Sequence, residues 1–187
     1  TWYDQSGNGV NVTQATASFQ PKLVSSGVVE LENGLPCIVF DGNSDYLEEI
    51  VSFSQPFTLF SVRKYNGTNN QIGISLNNSV TSFADSVVAA EFKSYYGNYI
   101  SAGASNTSQG LWYSLGNGVS SSVSLDDAAE TTGNAGTSGV NIVTIGRRAS
   151  GGLYSNFKKQ EIILYSSDES SNKSGILENI NSFYSIY

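Results

Sequence analysis

The chain has 187 residues, of which 39% are hydrophobic and only 13% charged, with a net charge of −7 and no histidine. That length suits a single all-β sandwich domain over residues 1–187, and the apolar share excludes a disordered chain. The acidic balance argues against a nucleic-acid partner, which demands clustered Lys and Arg, and the missing histidine excludes Ser-His-Asp and Cys-His catalysis and ordinary zinc sites.

The chain opens on "TWYDQSGNGVNVTQAT". Asp4 in this stretch has two readings, a catalytic or metal-binding carboxylate and a turn former. An Asp followed by Ser and two glycines accepts bonds from backbone N–H groups two or three residues on, so the turn reading is preferred. Cys37 in "LPCIVF" has no cysteine to pair with and reads as an inert buried hydrophobe. Asp41 and Asp45 in "FDGNSDYL" are the candidate metal ligands: a carboxylate pair around a glycine suits calcium. The competing reading is an Asx-bonded loop between strands, and it is the preferred one.

Short apolar runs separated by Gly, Asn and Ser then predict strands at 36–40, 45–50, 57–64, 71–76, 86–93, 110–116, 119–125, 140–148 and 157–166. Asn66-Gly67, Gly97-Asn98, Gly116-Asn117-Gly118 and Gly151-Gly152 mark turns, several of them hairpins. Residues 126–139 read as one long exposed loop. Glu48, Glu49, Glu91 and Glu161 are carboxylates on predicted strands, but nothing in their spacing pairs them across a cleft as glycoside hydrolysis requires. Arg147-Arg148 reads as structural, one arginine facing solvent or a partner. Tyr65, Tyr95, Tyr96, Tyr99, Trp112, Tyr113 and Tyr154 flank polar turns, where flat rings beside Asn and Ser suit sugar recognition; the competing reading places half or more of them in the core. In "SSDESSNKSGILENINSFYSIY", Ile176, Ile180, Tyr184 and Tyr187 recur at helical spacing, with Asp168 or a nearby serine as cap. No apolar run approaches the ~20 residues that cross a bilayer, so no membrane insertion is expected.

Three stretches together, "WYDQSGNGVNVTQAT", "NGLPCIVFDGNSDYLE" and "GRRASGGLYSNFKKQEIILYSSDESSN" with the helix after it, resemble the concanavalin A-like lectin/glucanase superfamily in its laminin-G-like bacterial and phage branch. The resemblance covers both ends of the chain and leaves 65–140 largely unmatched. It implies an all-β, two-sheet antiparallel jelly-roll sandwich with one C-terminal helix. "YDQSG" is also similar to a stretch of fungal-type arabinofuranosidases, but the surroundings of that family's nucleophile have no match here, and the Glu-x-Asp-x-x-Glu strand of related β-glucanases is missing.

The expectation is therefore a non-catalytic carbohydrate-binding module, with Tyr65, Tyr95, Tyr96, Tyr99, Trp112 and Tyr113 as the sugar-contacting set. No catalytic residue and no cofactor is expected, calcium at Asp41 and Asp45 excepted. The resemblance implies cell-surface glycans as partners and other copies of the chain, as a trimer or higher. It also implies a place on a phage virion, with a bacterial cell surface as the alternative. The absence of methionine leads to the expectation of a domain excised from a longer chain. A glycoside hydrolase of arabinofuranosidase type is the runner-up.

Overall fold

Residues 57–65, FTLFSVRKY, alternate between two apolar faces: Phe57, Leu59 and Tyr65 point to one core, Phe60 and Val62 to another. Successive strand residues project to opposite sides, so a strand apolar on both sides must lie in a sheet that is covered twice. The structure, a computed structural model that describes residues 1–78 and 82–187, places this strand in that position.

Two short ribbons come first, β1 (Val24–Ser25) with β2 (Val28–Val29) and β3 (Leu31–Glu32) with β4 (Leu35–Pro36). Next come β5 (Ile38–Asp41), β6 (Leu47–Glu49), β7 (Phe57–Tyr65), β8 (Gln71–Asn77), β9 (Ser82–Val88) and β10 (Glu91–Tyr95). The rest are β11 (Tyr99–Ala104), β12 (Gly110–Gly116), β13 (Ser121–Leu125), β14 (Thr131–Gly133), β15 (Val143–Ile145) and β16 (Asn156–Tyr165). A first six-stranded sheet has the order β11-β10-β9-β8-β15-β6, and a second has β14-β13-β12-β7-β16-β5. Their strand pairs are antiparallel. The chain is a β-sandwich.

The main core lies between the sheets, where Phe40, Phe57, Trp112 and Phe157 of the second meet Ile74, Val87, Phe92 and Ile145 of the first. The one α-helix among the described residues, α1 (Lys173–Tyr184), covers the far side of the second sheet, packing Leu177, Ile180 and Tyr184 on Phe60, Val62, Leu111, Tyr113 and Leu115. Its buried stripe keeps Ile180 and Tyr184 as expected, but Leu177 takes the place given to Ile176, and Tyr187 is half exposed. Ser185 in a left-handed conformation ends the helix, and the Asn181 side chain accepts the N–H groups of Ile186 and Tyr187. Asp168 accepts the N–H of Ser170 in the 3-10 turn that leads into the helix rather than capping the helix itself.

Two local expectations need correction. The run at 86–93 is not one strand: it turns between β9 and β10 at Ala89 and Ala90, both at positive φ, where no Asn-Gly signal exists. The loop at 126–139 is partly ordered against the sheet, since it contains β14, and the Ala135 carbonyl accepts the N–H groups of Tyr96 and Asn98.

Candidate functional site

Asp4 folds its turn. Its carboxylate accepts the Ser6 N–H at 2.8 Å, the Ser6 hydroxyl at 2.9 Å and the Val10 N–H at 3.1 Å. Those bonds favour the ionised form and hold its pKa down at about 2. Asp41 and Asp45 form a second such loop. The Asp41 Oδ1 accepts the N–H groups of Asn43, Ser44 and Asp45 at 2.8–3.1 Å, and the Asp45 Oδ2 in turn accepts the Asp41 N–H. Burial raises the Asp45 pKa, with the Asp41 charge adding to it. Among the described residues no group of three or more Cys, Asp or Glu side chains converges as a metal site.

The aromatic set divides. Tyr65, Tyr96, Trp112 and Tyr113 are all at most 1% exposed, so they offer no face to a sugar. This corrects the sequence reading, and the reason is that each polar tip finds a partner inside. The Tyr65 hydroxyl donates to Asp85, Tyr96 shares a 2.6 Å bond with Ser114, the Trp112 indole N–H donates to the Ala84 carbonyl, and Tyr113 accepts from Ser122. Proximity to a polar turn was the misleading signal; the two-sided burial of β7 and β12 was the informative one.

Tyr95 and Tyr99 remain outside. Along β10 the residues Phe92, Ser94 and Tyr96 face inward, while Glu91, Lys93 and Tyr95 face away from the core. Tyr95 pairs with Tyr99 across the β10–β11 hairpin, with ring centroids 4.7 Å apart. Phe83 of β9 lies at 5.6 Å and 6.4 Å from the two rings. Tyr99 is 51% exposed, and the Lys93 ammonium stands 5.4 Å from its centroid. Lys93 is held by Glu91 at 2.8 Å, and hydrogen bonds from Lys93 and Ser101 lower the Glu91 pKa. The result is an apolar platform edged by a cation, a carboxylate and hydroxyls.

The other strand carboxylates take separate places. Glu48 pairs with Arg147 at 3.0 Å, and the Arg147 guanidinium stacks 3.6 Å above the Tyr46 ring. Glu161 is half-buried, and burial alone raises its pKa. It lines a trough of about 580 Å³ beside β16, whose wall includes Trp2, Tyr3 and Asp4.

Sequence reasoning missed a charge cluster between the sheets. Asp85 of β9, fully buried, accepts bonds from Lys159 of β16 at 2.9 Å, Ser61 at 2.9 Å, Tyr65 at 3.0 Å and Arg63 of β7 at 3.4 Å. Burial alone would raise this carboxyl, but Lys159 and Arg63 outweigh it and hold it at about 2. Lys159 is pushed down to about 8, chiefly by burial, with Asp85 opposing and Arg63 adding. Arg63 lies 4.4 Å from the Phe92 ring centroid, and its Nη2 has no hydrogen-bond partner among the described residues. Gly110 leaves room for it: a Cβ there would sit 2.6 Å from Nη1. Buried on both sides of the interface, the cluster ties the sheets together.

No protein-family model and no curated protein matches the chain. Solved structures do. Trypanosoma rangeli sialidase in complex with the inhibitor DANA matches at TM-score 0.54 and 15% identity over 74% of this chain and 26% of that one. The same sialidase in complex with sialic acid matches at TM-score 0.54 and 16% identity, over 81% and 29%. Its covalent intermediate with 2,3-difluorosialic acid matches at TM-score 0.54 and 15% identity, over 91% and 34%. The likeness is one of fold. This chain spans about a quarter to a third of the length of those sialidase chains.

Proposed function

We propose that the chain is a non-catalytic glycan-binding module of the concanavalin A-like jelly-roll class, with Tyr95 and Tyr99 as its sugar-stacking face. The observation that carries the reading is the exposed Tyr99 ring, backed by Tyr95 and Phe83 and bordered by Lys93 and Glu91. The C–H face of a pyranose stacks on such rings, while Lys93, Glu91 and Ser101 meet its hydroxyls or an acidic substituent. The fold likeness to part of a sialidase, one of whose structures holds sialic acid, makes sialylated glycans the first class to test.

The non-catalytic reading draws support from the strand and turn carboxylates: Asp4 and Asp41 accept backbone N–H groups, Asp85 is ringed by cations, and Glu48 and Glu91 have separate ion-pair partners. Single contacts of this size are weak, so display in several copies on a virion or a bacterial surface fits the proposal. Multivalency raises avidity by about 10² to 10⁴ without new contacts.

The test is a glycan array, rich in sialosides, probed with a tetramerised chain with and without calcium. Binding that disappears in Tyr99→Ala, with an unchanged circular dichroism spectrum, is the expected result. Silence across the array, or binding indifferent to Tyr95→Ala and Tyr99→Ala, sinks the proposal. Release of sugar from aryl-glycoside substrates that depends on Glu161 replaces it with a hydrolase.

A further inference from the structure

β16 is covered on both faces and still partly exposed from Gln160 to Tyr165. Ile162 and Leu164 pack on the inter-sheet core and Ile163 and Tyr165 on the helix-side core, yet every residue from 160 to 165 is only half-buried. β12, in the middle of the same sheet, is buried throughout. A strand covered above and below but still open to solvent is open at its edge.

The pairing agrees. β7 runs beside β16 from Phe157 to Tyr165, but on the other side β5 pairs only Asn156–Lys159. Among the described residues, Gln160–Tyr165 have no backbone partner there. A bulge at Gln160 marks the point where the second neighbour ends, and the Gln160 side chain donates to the Glu32 carbonyl. The open stretch of six residues is about 20 Å long.

Exposed edges of this kind are usually blunted, because unpaired N–H and C=O groups recruit other strands. The other outer strands of this sandwich show such devices: β14 and β6 have three residues each, β5 is bridged by Lys22, and the β10–β11 ladder is bulged. The edge is unbulged beyond Gln160 and apolar from Ile162 to Tyr165, and it lines the trough together with Trp2, Tyr3, Val10 and Phe53.

The formal charges lining the trough are Asp4 and Glu161, with no Lys or Arg among its lining residues. Glu161 has no ion-pair partner among the described residues. A second copy of the chain would bring the same two carboxylates, and a net charge of −7, up to this edge.

We propose that the β16 edge binds an extended peptide strand of a partner protein, with Lys or Arg beside Glu161 and Asp4 and apolar residues at alternate positions. The peptide adds a seventh strand to the second sheet. Backbone pairing supplies the affinity, and the two carboxylates select its charge. The site lies apart from the tyrosine platform, so it stands or falls independently of glycan binding.

The probe is an eight-residue peptide alternating valine with lysine and threonine, titrated by fluorescence anisotropy. Amide hydrogen exchange is followed at 160–165. Saturable binding with protection of those amides is expected. It should be lost when alternate peptide amides are N-methylated, and weakened about tenfold in Glu161→Lys or when glutamate replaces the peptide lysines. No binding at about millimolar peptide, or equal binding of the N-methylated peptide, overturns the proposal. So does a sedimenting dimer whose 160–165 amides are protected without peptide, which assigns the edge to a second copy.

Discussion

Asp85→Asn removes the carboxylate at the centre of a cluster that contains two buried cations. Asp85, Lys159 and Arg63 are each at most 1% exposed. Lys159 Nζ lies 2.9 Å from the carboxylate and Arg63 Nε 3.4 Å. Water cannot replace the lost charge. Breaking a buried pair from one side costs about 3–5 kcal/mol, a large part of the 5–15 kcal/mol that stabilises a typical domain. With a urea m value of about 2 kcal/mol/M, the midpoint should fall by about 2 M with the slope unchanged. Lys159→Met added to Asp85→Asn should recover part of the loss, because one uncompensated charge leaves with it. The sign of the pH effect follows from the depressed folded pKa of Asp85: its stabilisation is present above the unfolded value near 4 and is lost as pH falls to about 2. A loss below about 1 kcal/mol in Asp85→Asn, or a further loss on adding Lys159→Met, would refute the reasoning.

Three further variants probe the backbone by urea or thermal denaturation. Gly136→Ala should cost at least about 2 kcal/mol, because at φ +97° its Cβ meets the Tyr96 carbonyl and comes within 2.7 Å of the Gly97 Cα. Ala89→Asn with Ala90→Gly should stabilise by about 1 kcal/mol, since both residues sit at positive φ in the two-residue β9–β10 turn. Gly175→Ala, in an exposed helical position with open space around the new Cβ, should stabilise by about 0.5–1 kcal/mol.

The sequence announced those parts that depend on neighbours along the chain. The Asp4 turn is local chemistry, and the spacing of Ile180 and Tyr184 identifies the helix. What it concealed depends on which strands lie side by side. "YISAGA" carries too little apolar signal to mark β11, and Ala89-Ala90 reads as strand interior rather than turn. Asp85, Arg63 and Lys159 come from three runs, "FADSVV", "SVRKY" and "NFKKQ", in each of which a charge reads as solvent-facing. Only the stacking of the sheets turns them inward together. The burial of Tyr65, Tyr96, Trp112 and Tyr113 became visible once their strands proved covered. The open edge of β16 arises because β5 is shorter than the strand beside it.

The place of β16 between β5 and β7 also orders the folding of the chain. Strands β8 to β11 follow one another as hairpins and close short loops. The second sheet must instead join Phe157 to Phe40 and to Tyr65, contacts between distant parts of the sequence. Loop closure over such distances makes the second sheet the slow step, with a rate set by topology more than by stability. During synthesis β5 and β7 leave the ribosome ahead of the β8–β11 meander, and the edges they will share with β16 stay bare until that strand follows. For that interval the apolar faces of β7 depend on chaperones or on speed to stay unaggregated.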